Sequence, residues 1–449
     1  MSVAVTDDRR ERLKQWLSSG KAALHPLTFP QRELWEASPA PFGDPANTIG
    51  CLIEIKGAIT QTDCLAAMQL VVDRHEVLRL SMLPGKGQSF QMILAESEPA
   101  MRFRDVPSSW TLDEVAAAAR ETFETPFDLV KGPLYRIEVF RRAPNDHVLV
   151  AGMHHSISDG WTLGVLVQDL YGAYAQVLLG IKGGLPPSAM SYVAWGAAER
   201  AYWQPSVLAQ RAAFWKEHLA GSKELFTDRA GHPGESDRLE RRIEYIPAEL
   251  GIAVRDLAKR TGATLYSTLL AAFQIAFSRW TGETDLVVGT PVANRTRQDV
   301  RETMGYFAGV VPVRGKVDET RTFSDSLRAV HQTTIDCFAN YMPFAELVSA
   351  LHPLRVPGRN PIYQVRFALQ NQPVPDISVA GFSARLKILS TGTPRFDIAC
   401  EVTEEGDALE VAWLFRKNRF STAEMDELHR LFLTLLTSVC SSPDSRVSY

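Results

Sequence analysis

The chain contains the segment Met153-His154-His155-Ser156-Ile157-Ser158-Asp159-Gly160. Two adjacent histidines are followed, four residues beyond the second, by an Asp-Gly pair. The apolar residues 147–153 favour a strand, and the residues after Gly160 return to a helical spacing of apolar side chains. A strand end that delivers a histidine into a loop is a common way to place a base at a cleft. The segment therefore predicts a candidate active site.

The four residues of this pattern have different predicted roles. We interpret His155 as the residue nearest the reacting atoms, acting as a base or a hydrogen-bond partner, with His154 beside it in the catalytic set. Asp159 is expected to form a buried ion pair that holds the loop, since a buried carboxylate requires a cation. Gly160 permits a turn or close backbone packing. The alternative is a plain turn with two hydrogen-bonded histidines, which this four-point pattern disfavours.

Outside this segment, the sequence predicts an α/β protein with two halves. Residues 135–142 and 147–153 read as two strands joined by a turn, and strands and helices intermix on both sides of a Gly- and Pro-rich stretch at 180–191. This organisation favours α+β sandwiches over a helical bundle or a barrel. We place an N-terminal domain at residues 1–180 and a C-terminal domain at 181–449.

Composition excludes several classes of protein. The net charge of -4 over 449 residues provides no strong field for a nucleic-acid backbone or an anionic membrane. No run of 18 apolar residues and no signal peptide is present, and the five cysteines include no CxxC pair, so no metal site is expected. We expect a reduced, cytoplasmic protein.

The segment 153–160 resembles the HHxxxDG signature of nonribosomal peptide synthetase condensation domains, which belong to the chloramphenicol acetyltransferase-like superfamily. Six further stretches resemble the family's other motifs and follow in family order: Thr28–Trp35, Arg74–Arg79, Tyr192–Trp195, Gly289–Arg295 with Met304–Phe307, Pro343-Phe344 and Arg359–Tyr363.

This resemblance implies two acetyltransferase-like lobes in a V-shaped pseudo-dimer with a tunnel between them. It implies an acyltransferase of antibiotic and other secondary metabolism that forms an amide or ester bond. The acyl donor would be a thioester on the phosphopantetheine arm of a carrier protein, without a cofactor bound in the chain. A monomer is expected. The short leader after Met1 is compatible with a free-standing enzyme acting in trans, and the alternative is an excised domain whose carrier belongs to the same assembly line. In the family, the Asp of the signature pairs with an Arg of the second motif, which is best matched by Arg79, with Arg74 as the runner-up.

Four further residues are candidates for substrate binding: Trp161, Thr162, Tyr306 and Asn360. Thr162 is alternatively a helix cap, and Asn360 is equally compatible with capping a loop beside Pro361. Departures from the family pattern, such as Ala308-Gly309-Val310 after Phe307, point to an acceptor other than the usual aminoacyl carrier.

Two alternatives in function remain open at the level of sequence. One is an acyltransferase of the same superfamily that uses coenzyme A. The other is a non-catalytic docking module for a carrier protein, against which the complete histidine motif argues. The donor, the acceptor and the choice between amide and ester are not determined by the sequence.

Overall fold

The computed structural model describes residues 7–37, 47–85, 88–229, 231, 238–354, 356, 359–370, 377–379, 382–389 and 396–446. The chain groups into two compact units. The first takes in Met1–Gln204, Ala293–Ala308 and Gln372–Thr391, and the second takes in Pro205–Val292, Gly309–Asn371 and Gly392–Tyr449. Both units mix helices with β-sheet, so the predicted α/β class is confirmed.

The helices and strands of the first unit follow one another in an intermixed order. They are α1 (Asp7–Ser18), β1 (Ala22–Pro26), α2 (Phe29–Ala37), β2 (Thr48–Lys56), α3 (Gln61–Arg74), β3 (Leu80–Leu83), β4 (Phe90–Leu94), β5 (Met101–Asp105), α4 (Leu112–Ala118), α5 (Arg120–Glu124), β6 (Tyr135–Ala143), β7 (Asp146–His154), α6 (Gly160–Leu178) and α7 (Tyr192–Tyr202). Two later strands of the chain also belong to it, β12 (Ile377–Val379) and β13 (Phe382–Leu389).

A six-stranded sheet in the order β12-β13-β2-β7-β6-β5 forms the centre of the first unit, beside a small sheet β1-β4-β3. Strand β7 lies inside the large sheet and pairs antiparallel with both β2 and β6. Its side chains alternate between two apolar clusters. Leu149 and Ala151 join the core that includes α3 and α6, whereas Val148 and Val150 join the cluster with α4 and α5. Because both faces of β7 are covered, its sequence is almost continuously apolar.

Close packing around β7 also explains its glycine. A Cβ atom added at Gly152 would lie 2.5 Å from the carbonyl oxygen of Thr122, a residue of α5, which packs against β7 at this point. A larger residue would push α5 away from the sheet and disturb the strand that carries the histidines.

The elements of the second unit are α8 (Pro205–His218), β8 (Leu239–Ile246), α9 (Ala248–Thr261), α10 (Leu265–Thr281), β9 (Asp285–Val292), β10 (Gly309–Lys316), α11 (Phe323–Ala339), α12 (Phe344–Leu351), β11 (Val365–Gln370), β14 (Ile398–Glu405), β15 (Ala408–Arg416) and α13 (Thr422–Ser441). Its strands form a six-stranded sheet in the order β10-β9-β11-β14-β15-β8. A buried Trp413 on β15 packs against Phe273 of α10 and Phe432 of α13, so these helices share one core with the sheet.

The two compact units differ in extent from the predicted domains 1–180 and 181–449. Residues 181–204, with α7, group with the first unit, and so do the later segments Ala293–Ala308 and Gln372–Thr391. Segments that come back to the first unit later in the chain are not marked by a change in local composition. The stretch 180–191, in contrast, is rich in Gly and Pro and for that reason was taken as the boundary. The division into two acetyltransferase-like lobes at 180/181 stays a prediction.

Candidate active site

The two histidines of the motif lie in different environments. His154 is the last residue of β7 and is fully buried, whereas His155 opens a single 3-10 turn, His155–Ile157, and is only partly buried. The change from strand to 3-10 turn separates the environments of these neighbours in sequence. His155 is therefore the more accessible histidine of the pair.

A backbone hydrogen bond fixes the tautomer of His155. Its Nδ1 lies 3.0 Å from the carbonyl oxygen of Ser158. Because a carbonyl oxygen can only accept, Nδ1 carries the proton, and in the neutral ring Nε2 holds the lone pair. The ring also packs at a tilt of 47° against Tyr306, with 5.4 Å between the ring centroids. The hydrogen bond to Ser158 and the contact with Tyr306 both orient His155.

His154 is held within the loop by local hydrogen bonds. Its Nδ1 accepts from the backbone N–H of Ser156 at 3.2 Å and lies 2.8 Å from the hydroxyl of the same residue. Its backbone carbonyl accepts from the hydroxyl of Ser158 at 3.0 Å. These contacts keep the turn compact directly beneath His155. Its predicted place in the catalytic set stays a prediction.

Asp159 is buried and pairs with Arg295, not with Arg79. The Nη2 of Arg295 lies 3.3 Å from Asp159 Oδ1, and the two side chains are 1% and 4% exposed. The predicted pair Arg79–Asp159 is therefore wrong. Arg79 instead donates to the backbone carbonyls of Leu94 and Ala95. These hydrogen bonds connect the 3-10 turn Glu76–Arg79 to the end of β4.

The runner-up, Arg74, is also occupied elsewhere. It forms ion pairs at 2.8 Å with Asp169 of α6 and with Glu302, and Asp169 in turn lies 2.5 Å from the Nε2 of His75. Burial lowers the pKa of His75, more than the bond to Asp169 raises it. The second motif therefore fastens α3 to α6 and leaves Asp159 to a cation from a distant part of the chain.

Arg295 is enclosed by carbonyl oxygens and aromatic rings. Its Nη1 donates to the carbonyls of Val300 and Thr303 at 2.7 and 2.6 Å, and its guanidinium lies 3.9 Å from the ring centroid of Phe307. Burial lowers the pKa of Arg295, while the charge of Asp159 raises it. A guanidinium presents several N–H donors in one plane. The single side chain of Arg295 can therefore bind the Asp159 carboxylate and at the same time hold the backbone of residues 300–305 by hydrogen bonds to its carbonyls.

Thr162 connects Asp159 to the segment 305–307. Its backbone N–H donates to Asp159 Oδ1 at 2.8 Å, which caps α6, and its hydroxyl donates to the carbonyl of Gly305 at 2.7 Å. The same hydroxyl accepts from the N–H of Gly305 and from Arg295, both at 3.1 Å. The backbone N–H of Phe307 donates to the second oxygen of Asp159 at 3.1 Å. Gly160 is the first residue of the capped helix.

These bonds bear on the predicted substrate contacts. Thr162 is fully buried and its hydroxyl makes three hydrogen bonds, which favours the cap over a substrate contact. The side chain of Asn360, in the second unit, accepts from the N–H groups of Ile362 and Tyr363 at 3.0 and 3.1 Å, as the loop-capping alternative requires. Trp161 donates its indole N–H to the carbonyl of Arg301 at 2.8 Å. Tyr306 remains the candidate in contact with His155.

Three residues of the site were not predicted to act there. Arg295 belongs to the fifth motif, where Arg297 and Arg301 follow it closely, so the sequence alone did not single it out. Gln31 donates its side-chain amide to the carbonyl of Ser156 at 3.1 Å. Tyr192 donates its hydroxyl to the carbonyl of Tyr306 at 2.8 Å and lies 2.9 Å from the hydroxyl of Thr28. The family motifs that contain Gln31 and Tyr192 therefore contribute supports for the histidine loop.

The described part of the chain shows neither a cluster of metal ligands nor a membrane-spanning helix. Within it, no three His, Cys, Asp or Glu side chains are grouped so that they could hold a metal ion. Among the same residues, no helix combines the length and apolar character needed to span a membrane.

A covered sheet that delivers an HHxxxDG loop is typical of the chloramphenicol acetyltransferase-like fold, and this is the class to which the chain's fold belongs. More narrowly, the chain belongs to the condensation-domain family, because residues 21–449 match the family described as Condensation domain.

Relatives of known identity come from nonribosomal peptide synthetases. The chain is 30% identical over 438 residues to a linear gramicidin synthase of Brevibacillus parabrevis, covering 94% of this chain and 8% of that protein. It is also 30% identical over 428 residues to phosphinothricin tripeptide synthetase PhsC of Streptomyces viridochromogenes, covering 93% and 39%. Eight such curated relatives are much longer, and the chain spans between 6% and 39% of their lengths.

Solved structures agree on the fold. The X-domain from teicoplanin biosynthesis superposes with a TM-score of 0.82 at 23% identity, over 94% of this chain and 96% of that one. A starter condensation domain of rhizomide synthetase RzmA, a variant in complex with C8-CoA, gives 0.80 at 20% identity, over 97% and 98%. At these identities, the likeness establishes the fold and not the substrate.

Proposed function

We propose that this chain transfers an acyl group from a carrier-bound phosphopantetheine thioester to an amine or hydroxyl acceptor. The product is an amide or ester in nonribosomal peptide or hybrid polyketide–peptide biosynthesis. Membership of the condensation-domain family supports the reaction class. The single observation that carries the proposal at the level of residues is the partly buried His155, whose Nδ1 donates to the carbonyl of Ser158.

The reaction makes one bond and breaks one. The lone pair of the acceptor nitrogen or oxygen attacks the thioester carbon, the C–S bond breaks, and the thiolate of the arm leaves. His155 Nε2 takes the proton that the acceptor loses, and returns it to the thiolate. A base with its proton fixed on Nδ1 is suited to this exchange, because only one nitrogen can accept. No cofactor of the chain's own takes part.

Proximity and base catalysis contribute differently for the two acceptor classes. A neutral amine is already nucleophilic, so holding it near the thioester supplies most of its acceleration, worth up to ~7–11 kcal/mol. A hydroxyl is a poorer nucleophile at neutral pH, and general-base help of roughly 100- to 10,000-fold matters more for it. His155→Ala is therefore expected to impair ester formation more than amide formation. Equal losses with matched amine and alcohol acceptors would contradict the role of His155 as base.

The test is intact-mass spectrometry of acyl-loaded carrier proteins incubated with this chain and a panel of amines and alcohols. We expect loss of the acyl group from the carrier together with product formation. His155→Ala should reduce both, and the reduction should be larger with alcohols than with amines. His25→Ala, a half-buried histidine on β1, is the matched control and should retain turnover. Turnover with acyl coenzyme A but with no carrier would replace the proposal by the coenzyme A-dependent alternative. Carrier binding without either reaction would favour a docking module.

A further inference from the structure

Two glutamines of the first unit are linked to the histidine loop by hydrogen bonds, and both are fully buried. Gln31 belongs to α2, and Gln91 belongs to β4, the central strand of the small sheet β1-β4-β3. Burial of an amide is costly unless its donors and its acceptor are hydrogen-bonded, so the partners of these two side chains indicate what each one holds. The proposed reaction assigns no role to either glutamine.

The hydrogen bonds of the two glutamines fix the orientation of each amide. The amide nitrogen of Gln31 donates to the backbone carbonyl of Ser156 at 3.1 Å and to Oε1 of Gln91 at 3.3 Å. Its Oε1 accepts from the backbone N–H of Thr28 at 3.1 Å. The amide nitrogen of Gln91 donates in turn to the backbone carbonyl of Pro26, the last residue of β1, at 2.9 Å. Because carbonyl oxygens only accept, neither amide can turn over without losing these bonds.

The bond from Gln31 reaches the turn that carries His155 from a different element of the fold. The carbonyl of His154 accepts from the hydroxyl of Ser158, and the carbonyl of His155 accepts from the backbone N–H of Ser158 at 3.2 Å. Both of these bonds form within the loop itself. The carbonyl of Ser156, in contrast, is held by Gln31 of α2, while the N–H of Ser156 donates to His154. The peptide groups on both sides of Ser156 are therefore fixed.

The conformation of this turn decides where the acceptor for the His155 ring lies. The Nδ1 of His155 donates to the carbonyl of Ser158, two residues beyond Ser156. Without the amide of Gln31, the buried carbonyl of Ser156 would lose this donor, and rotation of its peptide group is the way for it to find another. Such a rotation moves Ser158 relative to the ring and weakens the bond that keeps the proton of His155 on Nδ1.

We propose that Gln31 is a positioning residue that sets the tautomer of His155, and that Gln91 holds the amide of Gln31 in the orientation this requires. The two glutamines thereby connect the small sheet to the imidazole that exchanges the proton of the acceptor. The effect on acyl transfer rests on the proposed function. The tautomer of His155 is a property of the free protein, so it can be measured without substrate and without turnover.

The test is proton–nitrogen NMR of the imidazole groups in the full chain, labelled with isotopic nitrogen in its histidines. The signals of His155 are assigned by their absence in His155→Gln. At a pH where the ring is neutral, the unmodified protein should show the proton on Nδ1. Gln31→Met keeps an unbranched side chain of similar length and removes its hydrogen-bonding groups. In this variant we expect the His155 signals to shift toward a mixture of the two tautomers.

Gln364→Met is the matched control. Gln364 of the second unit is also buried, accepts from the backbone N–H of Leu225 at 2.9 Å and donates to the carbonyl of Asn360 at 3.1 Å. Its loss should lower the midpoint of unfolding, as Gln31→Met does, and leave the tautomer of His155 unchanged. An unchanged tautomer in Gln31→Met, or an equal change in Gln364→Met, overturns the proposal, because a general loss of stability then accounts for the effect of the glutamine.

Gln91→Met provides a second variant, which keeps the bond from Gln31 to Ser156 and should shift the tautomer less. If Gln31→Met does not fold, an unchanged tautomer in Gln91→Met overturns the proposal. In the mass-spectrometric assay, Gln31→Met should lower kcat about tenfold, the rate equivalent of one hydrogen bond, with KM unchanged. A loss confined to KM contradicts a positioning role. Absence of turnover in the unmodified protein, with the tautomer shift of Gln31→Met intact, would reject the proposed function and leave the positioning of His155 standing.

Discussion

The buried pair of Asp159 and Arg295 allows a quantitative test of how the histidine loop is held. At 3.3 Å and an effective dielectric constant near 20, the attraction between the two charges is ~5 kcal/mol. Desolvation of both groups offsets much of it, so the net value of the intact pair is small. Removal of one partner is different, because a buried charge remains without compensation, at a cost of about 3–5 kcal/mol. Arg295→Gln should therefore lower the free energy of unfolding by about that amount.

A double-mutant cycle separates this pair from the general effect of each substitution. Asp159→Asn and Arg295→Gln are made singly and together, and unfolding in urea is followed for all four proteins. We expect a coupling energy of about 1–3 kcal/mol, typical of residues in one network. The matched cycle of Asp159→Asn with Arg79→Gln should give a coupling near zero, because Arg79 binds backbone carbonyls of β4 and the residue after it. Coupling of Asp159 to Arg79, or none to Arg295, would refute the assignment of the ion pair.

Two further predictions concern packing and pH. In Gly305→Ala, the added Cβ would lie 2.3 Å from the ring of Tyr192, at a φ of +155° that disfavours side chains. We expect a loss of about 1–3 kcal/mol in thermal unfolding, and no comparable loss in Gly184→Ala, where nothing lies within 4 Å. Burial raises the pKa of Glu199 from 4.5 to about 7 on folding. The protonated Glu199 therefore makes its full contribution to the free energy of unfolding below pH 4.5, and this contribution is lost as the pH rises through 7. Glu199→Gln should remove roughly 3 kcal/mol of this dependence in urea titrations between pH 4.5 and 8, and an unchanged pH profile would contradict the raised pKa.

The local architecture of the site was accessible from the sequence. Apolar residues in 147–153 predicted the strand β7, and the helical spacing after Gly160 predicted α6. The adjacent histidines between them predicted a loop with chemical function, and the resemblance to condensation domains identified the family. These features depend on neighbours within a few residues, through strand alternation, helix periodicity and an Asp cap, so they can be read without knowledge of the fold.

Only the tertiary structure decided which groups meet at Asp159. Its cation lies 136 residues away in Arg295, and the segment 305–307 returns to the same carboxylate from still further along the chain. Several arginines in the family motifs could have paired with it, and Arg79 was the wrong choice because sequence spacing carries no information about contacts at that separation. Likewise, the fully buried His154 beside a partly buried His155 follows from the transition of β7 into a 3-10 turn inside a packed core. The sequence determined the chemical groups and the elements that carry them, and long-range packing determined which of these groups hold the loop of His155 in place.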